Sequence, residues 1–192
     1  MVLALPRGGI PVAAEVAREL RLPLDILVVR KVSLPQEPEL ALGAVASGGA
    51  VALNWDLMER LGVGEEDLAP VIAREREHVE TLDHALRGNH PPFDIRRRTA
   101  LVVDDGLATG ATMRAAVAAL QGAGAERVIG AVPVGAAATC REVARHADQM
   151  ICLETPEPFY AVGEWYQEFP QVSDEEARRY LAASWKAMAK AG

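Results

Sequence analysis

Short apolar runs recur along the chain, and most are separated by stretches long enough to form a helix. The five runs are Val2–Leu5, Ile26–Val29, Leu101–Val103, Val128–Val134 and Met150–Leu153. They are rich in valine, isoleucine and leucine and do not alternate with polar residues, which is typical of strands buried on both faces of a sheet. The pattern predicts an α/β fold with a mostly parallel five-stranded sheet flanked by helices.

Helices are predicted between most of these strands, at Pro11–Leu20, Thr112–Gln121 and Ala136–His146. Proline in a first helical turn and glycine after a last turn are typical helix boundaries, and both occur here. Ligands of such sheets bind beyond the carboxyl ends of the strands. We therefore expect the chemistry of this chain at those ends.

Two segments interrupt the repeat. Ala41–Ala46 and Ala50–Asn54 predict a β-hairpin, because the glycines of the intervening Ser47–Gly49 turn supply positive φ. Glu65–Arg87 predicts one long helix whose apolar residues keep to one face. Its opposite face is expected to be solvated, with contact to another subunit as the alternative. The charged residues of that face are Arg74, Arg76, Glu77 and Glu80.

The character of the chain changes between Glu154 and Glu176, where there are seven acidic residues and no lysine or arginine. Five of the nine aromatic residues fall within this stretch: Phe159, Tyr160, Trp165, Tyr166 and Phe169. A final helix is predicted at Asp174–Ala189, opened by a capping box of Ser173 and Glu176.

Composition narrows the possible classes of protein. A chain of 192 residues with 50% hydrophobic and 24% charged residues predicts one globular domain. A net charge of −7 argues against binding to bulk nucleic acid, and no apolar run approaches a membrane span of about 20 residues. We expect Cys140 and Cys152 to be small buried hydrophobes in a cytoplasmic protein.

Candidate chemistry is concentrated in Ala100–Thr112, which reads ALVVDDGLATGAT. The strand delivers Asp104 and Asp105 to its carboxyl end, and a turn of small residues then enters a helix. Small residues let backbone N–H groups approach a phosphate, and the helix N-terminus adds partial positive charge. The adjacent acids cannot both face that phosphate, so vicinal sugar hydroxyls and Mg²⁺ are the expected partners. The alternative is an ordinary helix-capping turn.

Two other phosphate-binding motifs do not match the sequence of this segment. A Walker loop requires Gly-Lys followed by serine or threonine, and a dinucleotide-binding fingerprint requires three spaced glycines in the first strand-to-helix turn. The segment Ala100–Thr112 instead closely resembles the phosphoribosyl-diphosphate (PRPP) signature of the type I phosphoribosyltransferases. Pro6–Gly9 follows the first strand where that family has its pyrophosphate loop, and Arg30–Lys31 ends the second strand where its mobile catalytic loop begins.

The resemblance covers roughly residues 2–153, which implies a core over about those residues and an acceptor-side or capping segment over about 154–192. The segments LPRGG, VVRK, PE-x-A-x-GA and PEPFYAVG also resemble a bacterial branch known simply as phosphoribosyltransferases. The family likeness implies a Mg²⁺-dependent enzyme that moves the 5-phosphoribosyl group of PRPP to a nitrogen nucleophile, a nucleobase or related heterocycle, and releases pyrophosphate. It also implies a homodimer.

Residue roles follow from the same resemblance. Asp104 and Asp105 would hold the ribose hydroxyls, with Mg²⁺ nearby. Arg30 and Lys31 would act on the departing pyrophosphate, and the loop Ser33–Leu40, with Pro35 and Pro38, would close over the site and exclude water. The family's pyrophosphate loop, which often carries a cis peptide, corresponds to Arg7, Gly8 and Gly9. The 5-phosphate cradle corresponds to Ala108, Thr109, Gly110, Ala111 and Thr112.

Three features bear on the acceptor. Gly106 stands where the family usually has an aliphatic residue, and Ala108 argues weakly against a 6-oxopurine. Many relatives carry a segment before the first strand, which here begins at Val2, and we expect this difference to bear on acceptor recognition more than on PRPP binding. In Pro156–Phe169, Tyr160, Trp165 or Tyr166 could stack on a planar ring, and the alternative is that these aromatics pin a loop onto the core.

The sequence leaves two rival functions open. One is a regulator that binds PRPP or a nucleotide on the same fold without transferring it, against which Arg7 and the Arg30–Lys31 pair favour an enzyme. The other is a phosphatase or nucleotide hydrolase that uses the paired aspartates with Mg²⁺, which lacks the D-x-D-x-T spacing of one common phosphatase design.

Overall fold

The computed structural model describes residues 1–37, 40–92 and 94–189. Its strands are β1 (Val2–Ala4), β2 (Leu24–Ile26), β3 (Val29–Val32), β4 (Gly43–Ala46), β5 (Val51–Leu53), β6 (Thr99–Val103), β7 (Arg127–Val134) and β8 (Gln149–Glu154). Its helices are α1 (Gly9–Leu20), α2 (Trp55–Leu61), α3 (Glu65–Arg87), α4 (Ala111–Gly122), α5 (Ala137–Val143) and α6 (Asp174–Ala189). Within these residues, no helix has the length and apolar character needed to cross a membrane.

The main sheet has five strands in the order β2-β1-β6-β7-β8, and every neighbouring pair is parallel. This confirms the predicted α/β fold. Side chains alternate between two buried clusters: Val2 and Ala4 pack with α1, α3 and α6, while Leu3 packs on the other face with α4 and α5. Helices therefore cover both faces, and the loops at the carboxyl ends of the strands remain available for ligands.

The second predicted strand is wrong in its boundaries. The main sheet takes Leu24–Ile26, and Val29 already belongs to β3 in a separate antiparallel sheet of order β3-β4-β5. Arg30 and Lys31 therefore lie inside β3, opposite Val45 and Ala44, rather than at the end of a main-sheet strand. The run of apolar residues continues without a break where the buried chain leaves one sheet for the other. The sequence therefore does not show this change of sheet.

The predicted hairpin is confirmed as β4 and β5. Gly48 and Gly49 both have φ of 78° in the short 3-10 turn that joins these strands, as the prediction required. Helix α2 was not predicted. It begins after Asn54, whose side chain accepts a hydrogen bond from the Leu57 amide at 3.1 Å, so an N-cap signal was present in the sequence.

Helix α3 has the predicted bounds, and the four charged residues expected to be solvated are exposed. Two other charged residues of this helix are buried. Arg87 pairs with the buried Asp25 and donates to Asp83 at 2.9 Å and 3.1 Å. Glu75, which is only 5% exposed, contacts arginines on β3 and on α3 itself. The predicted solvation therefore holds for those four residues but not for every charged residue of α3.

The expectation for the cysteines is wrong in part. Cys140 is buried, but it forms a disulfide with Cys152 rather than remaining unpaired. The two residues are twelve apart and have no motif spacing, and they meet because α5 packs against β8. At the C-terminus, α6 has the predicted bounds, and Ser173 and Glu176 form the predicted capping box.

Candidate active site

Loops that follow β1, β6 and β7 meet at one end of the main sheet. The Leu5 amide donates to Val103 O at 2.9 Å, which joins the starts of the first two loops. Leu107 lies between β7 and the start of α5: its amide donates to Val134 O, and its carbonyl accepts from Ala136 N, both at 2.9 Å. These backbone bonds assemble the expected pyrophosphate loop, the acid pair and the turn before α4 into one site.

Asp104 and Asp105 are adjacent, half-buried carboxylates in this site. Asp104 Oδ1 accepts a hydrogen bond from the Asp105 amide at 2.9 Å. Burial, and then the neighbouring Asp105 charge, raise the pKa of Asp104 to about 8, and burial also raises the pKa of Asp105. Because the charged forms of both carboxylates are disfavoured, a nearby cation or hydroxyl donors would stabilise them. These are the partners that the sequence predicts.

The Pro6–Gly9 loop lies directly against the acid pair. The Pro6–Arg7 peptide is cis, as the family resemblance implies. A Cβ at position 9 would lie 2.7 Å from Val103 O and 2.9 Å from Asp104 Cα, and one at position 8 would overlap the Asp105 carboxylate. Gly9 is therefore required by the close approach of the loop to the backbone of β6 and Asp104, whereas Gly8 leaves room for the Asp105 side chain.

The turn at residues 108–112 leads into α4 as the phosphate prediction requires. Gly110 has φ of 72° and occupies the N-cap position of this twelve-residue helix, with no side-chain cap. Thr139 donates to Ala108 O at 2.8 Å, and Arg114 donates to Thr109 O at 3.1 Å. Side chains from α5 and α4 thus hold the turn, and the first amides of α4 are oriented toward the site.

Arg30 and Lys31 reach the same turn from the small sheet. With Ser33, Pro35 and the start of α4 they line a cavity of about 370 Å³. The Arg30 guanidinium donates from Nε to Glu75 Oε2 at 3.0 Å. The loop predicted to close over the site runs through this region, and its Pro38 lies outside the described residues. Closure stays a prediction.

The aromatic C-terminal segment forms a second cavity, of about 540 Å³, against the pyrophosphate loop. Arg7, Gly8 and Asp105 line one side, and the aromatics Tyr166, Phe169 and Tyr180 line the other. Tyr166 donates its hydroxyl to Asp105 O at 2.6 Å. Burial, followed by the charges of Asp105 and Asp104, raises the pKa of Tyr166 to about 12, so it stays a donor at neutral pH.

Tyr160 does not lie where its predicted role, stacking on a planar ring, would place it. It is 77% exposed and is not among the residues that line this cavity. Of the three aromatic residues predicted to stack on a ring, Tyr166 lines this cavity, and an acceptor role for Pro156–Phe169 stays a prediction. Phe169 and Tyr180 were not singled out as ring-binding residues, and Tyr180 lies on α6, where helical spacing gave no sign of a site.

Gly106 accommodates this segment at the acid motif. A Cβ at position 106 would lie 2.6 Å from a γ-methyl carbon of Val162, which belongs to the 3-10 turn Val162–Trp165. The absence of a side chain lets the C-terminal segment pack directly beside Asp105. The departure from the family's usual aliphatic residue therefore has a steric reason in this chain.

Comparison with known proteins agrees with this geometry. The family model described as "Phosphoribosyl transferase domain" matches residues 1–168 of the 192. The chain belongs to the phosphoribosyl transferase domain family. The match includes the pyrophosphate loop, the acid motif and the part of the C-terminal segment that carries Val162 and Tyr166.

Similar proteins extend this membership over the full length of the domain. A Mycobacterium tuberculosis protein, named provisionally as a phosphoribosyl transferase, is 42% identical over 195 aligned positions that cover 100% of this chain and 43% of the relative. The chain thus spans less than half the length of the curated relatives it matches. A solved structure, that of TT1426 from Thermus thermophilus, has a TM-score of 0.88 at 38% identity, over 95% of this chain and 86% of that one.

Proposed function

We propose that this domain transfers the 5-phosphoribosyl group of PRPP to a ring nitrogen of a planar heterocycle, such as a nucleobase, with release of pyrophosphate. The observation that carries the proposal is the meeting of a buried acid pair with two phosphate-binding features, the Pro6–Gly9 loop and the uncapped start of α4. PRPP has a diol between two phosphate groups, and this site has carboxylates between two sets of backbone amides.

The acid pair has the chemistry of a Mg²⁺ site completed by substrate. Within the described ranges, no group of three or more His, Cys, Asp or Glu residues could hold a metal ion. Mg²⁺ often binds one or two carboxylates and completes its coordination with water and substrate phosphates, so Asp104 and Asp105 fit it when PRPP is bound. The metal would neutralise charge on the pyrophosphate group.

The chain's own residues divide the remaining tasks. The amides of Ala108–Thr112 bind the 5-phosphate, Asp104 and Asp105 accept hydrogen bonds from the ribose hydroxyls, and Arg7, Gly8 and Gly9 contact the pyrophosphate. Arg30 and Lys31 supply positive charge as that group leaves. Because the transition state resembles an oxocarbenium ion that water could capture, closure of the Ser33–Leu40 loop excludes solvent.

The reaction balances without any further reactant. The acceptor nitrogen forms a bond to the anomeric carbon with inversion, and the bond from that carbon to the pyrophosphate oxygen breaks with its electron pair on pyrophosphate. The acceptor's surplus proton passes to solvent. Charge develops mainly on the leaving group, so catalysis is largely electrostatic stabilisation and positioning.

The cavity beside Tyr166 is the acceptor site in this proposal. Its volume of about 540 Å³ suits a nucleobase, and its aromatic side chains Tyr166, Phe169 and Tyr180 offer flat surfaces. Its acids Glu168 and Glu176 disfavour an anionic acceptor such as orotate. Tyr160, given its exposure, has a weaker claim to stacking than Tyr166, and its role stays a prediction.

Calorimetric titration of PRPP, with and without Mg²⁺, tests the proposal on the wild type and on Asp104→Asn/Asp105→Asn. Metal-dependent binding that the double variant loses supports the site, and absence of binding by the wild type refutes it. A screen of neutral heterocycles for pyrophosphate release then separates a transferase from a PRPP-binding regulator. Sedimentation of the same samples tests the expected homodimer.

A further inference from the structure

Glu75 is a buried carboxylate on the packed face of α3, between the buried apolar residues Val71 and Val79. Its side chain is nearly inaccessible, whereas Arg74, Arg76 and Glu77 beside it in sequence are exposed. Removing a charge from water costs several kcal/mol unless other groups compensate. The groups that surround Glu75 therefore indicate why the chain places a carboxylate here.

Three side chains contact the two carboxylate oxygens of Glu75. Oε2 accepts from Arg30 Nε at 3.0 Å and lies 3.4 Å from His78 Nδ1, and Oε1 accepts from Arg74 at 3.0 Å and 2.8 Å. Burial alone would raise the pKa of Glu75, but hydrogen bonds from Arg30, Arg74 and His78 outweigh it and hold that pKa below its ordinary value. Glu75 is thus a charged anchor at neutral pH.

The consequence of this anchor falls on Arg30. An arginine whose side chain is 55% exposed would otherwise sample many rotamers, with a side-chain entropy of about 2 kcal/mol. Glu75 holds its Nε, and the guanidinium has further N–H donors on its two terminal nitrogens. Arg30 is the cation on β3 that the family resemblance assigns to the departing pyrophosphate.

The cavity at this anchor has the composition of an anion site. Its lining includes the cations Arg30, Lys31 and Arg74, opposed by the single carboxylate of Glu75, and the first residues of α4 close one side. Ser33 also lines it, and its Oγ is buried without a hydrogen-bond partner among the described residues. A bound phosphate group would satisfy that hydroxyl and lie near the Arg30 guanidinium.

Fold stability alone gives a weak reason for this arrangement. Exposed partners make ion pairs worth roughly 0–1 kcal/mol, and a well-packed apolar residue often replaces a buried ion pair without loss. Preorganised charge is worth more in catalysis, because a donor that is already oriented stabilises the charge that develops on a leaving group.

We propose that Glu75 is a positioning residue that fixes Arg30 for binding and stabilising the pyrophosphate group. The inference rests on the proposed function. It assigns a role to a helix residue outside every sequence motif, and it predicts that pyrophosphate recognition depends on Glu75 more than recognition of the rest of PRPP does.

The test compares two ligands that each carry part of PRPP. Calorimetry measures the affinity of Mg²⁺-pyrophosphate and of ribose 5-phosphate for the wild type, Glu75→Gln and the control Glu77→Gln, which changes an exposed carboxylate on the same helix. Glu75→Gln keeps the shape of the side chain and removes its charge. We expect at least a tenfold loss of pyrophosphate affinity, a smaller loss of ribose 5-phosphate affinity because the cavity also includes Ala111 and Thr112 of the 5-phosphate turn, and no change in the control.

The alternative outcomes are distinct. Equal losses for both ligands would indicate a purely structural role and overturn the inference, as would pyrophosphate affinity equal to that of Glu77→Gln. A wild type that binds neither ligand would refute the proposed function as well. Should Glu75→Gln fail to fold, Arg30→Gln leaves Glu75 paired with Arg74 and His78, and wild-type pyrophosphate affinity in that variant would overturn the inference.

Discussion

Replacing Gly106 with alanine should push the C-terminal segment away from the acid motif. The new Cβ would lie 2.6 Å from one γ-methyl carbon of Val162 and 3.1 Å from its Cβ. Folded proteins essentially never bring such carbon atoms within 3.0 Å, so either the turn at Val162 or the acid motif must move. The Tyr166 hydroxyl, which donates to Asp105 O, connects the same two elements and would resist this separation.

The expected cost follows from overpacking. Added methyl groups in packed sites destabilise proteins by about 1–3 kcal/mol, and we expect Gly106→Ala to fall within that range. Val162→Ala removes both γ carbons and leaves only the 3.1 Å contact. It should itself lower the free energy of unfolding by about 1 kcal/mol, because it removes buried apolar surface. In the double variant the alanine at 106 should cost much less, which gives a coupling free energy of at least about 1 kcal/mol.

Urea unfolding of the wild type, both single variants and the double variant measures this coupling. Gly122→Ala is the matched control, because its Cβ would meet only Ala52 Cβ at an ordinary 3.6 Å, and it should not destabilise the domain. If the effects of Gly106→Ala and Val162→Ala add to within about 0.5 kcal/mol, the steric explanation for Gly106 is refuted.

Three further predictions concern buried charges and the disulfide. Arg87→Met should cost about 3–5 kcal/mol in urea unfolding, because it leaves the buried Asp25 without its cation. Glu75→Gln should be destabilising at neutral pH, and the difference from the wild type should shrink as the pH falls below the ordinary glutamate pKa of about 4.3 and disappear once the folded carboxylate, whose pKa is lower, is protonated. The sign follows from the lowered pKa of Glu75: its stabilisation exists above the unfolded pKa and is lost as the folded carboxylate protonates. Reduction of Cys140–Cys152, which closes a short loop, should lower the free energy of unfolding by about 3 kcal/mol, measured with and without reductant.

Much of the fold follows from local patterns of residues. The end of α3 and the start of α6 were predictable because helix termini have strong residue preferences, such as Gly88 after α3 and the Ser173 capping box before α6. The parallel sheet was predictable because strands buried on both faces are continuous apolar runs. The acid motif was recognisable because phosphate binding by a turn requires small residues in consecutive positions.

The remaining features depend on contacts between distant parts of the chain. Val29 begins a new sheet because its partner is Ala46, seventeen residues later, and the apolar run around it has no break. Cys140 and Cys152 pair because α5 packs on β8. Glu75 lies four residues from both Val71 and Val79, within the apolar stripe of α3, but its pairing with Arg30 on another element depends on the fold.

The C-terminal segment contacts both the acid motif and the Pro6–Gly9 loop of the proposed PRPP site, which would constrain how two substrates bind. Tyr166 donates to the backbone at Asp105, and Asp174 at the start of α6 forms an ion pair with Arg7 of the pyrophosphate loop. A pyrophosphate group that recruits Arg7 must therefore compete with Asp174 or share the guanidinium with it. Since Arg7 and Asp105 also line the proposed acceptor cavity, PRPP binding at the proposed site would change the charge of that cavity. The segment would thus couple the two proposed sites through side chains that belong to both.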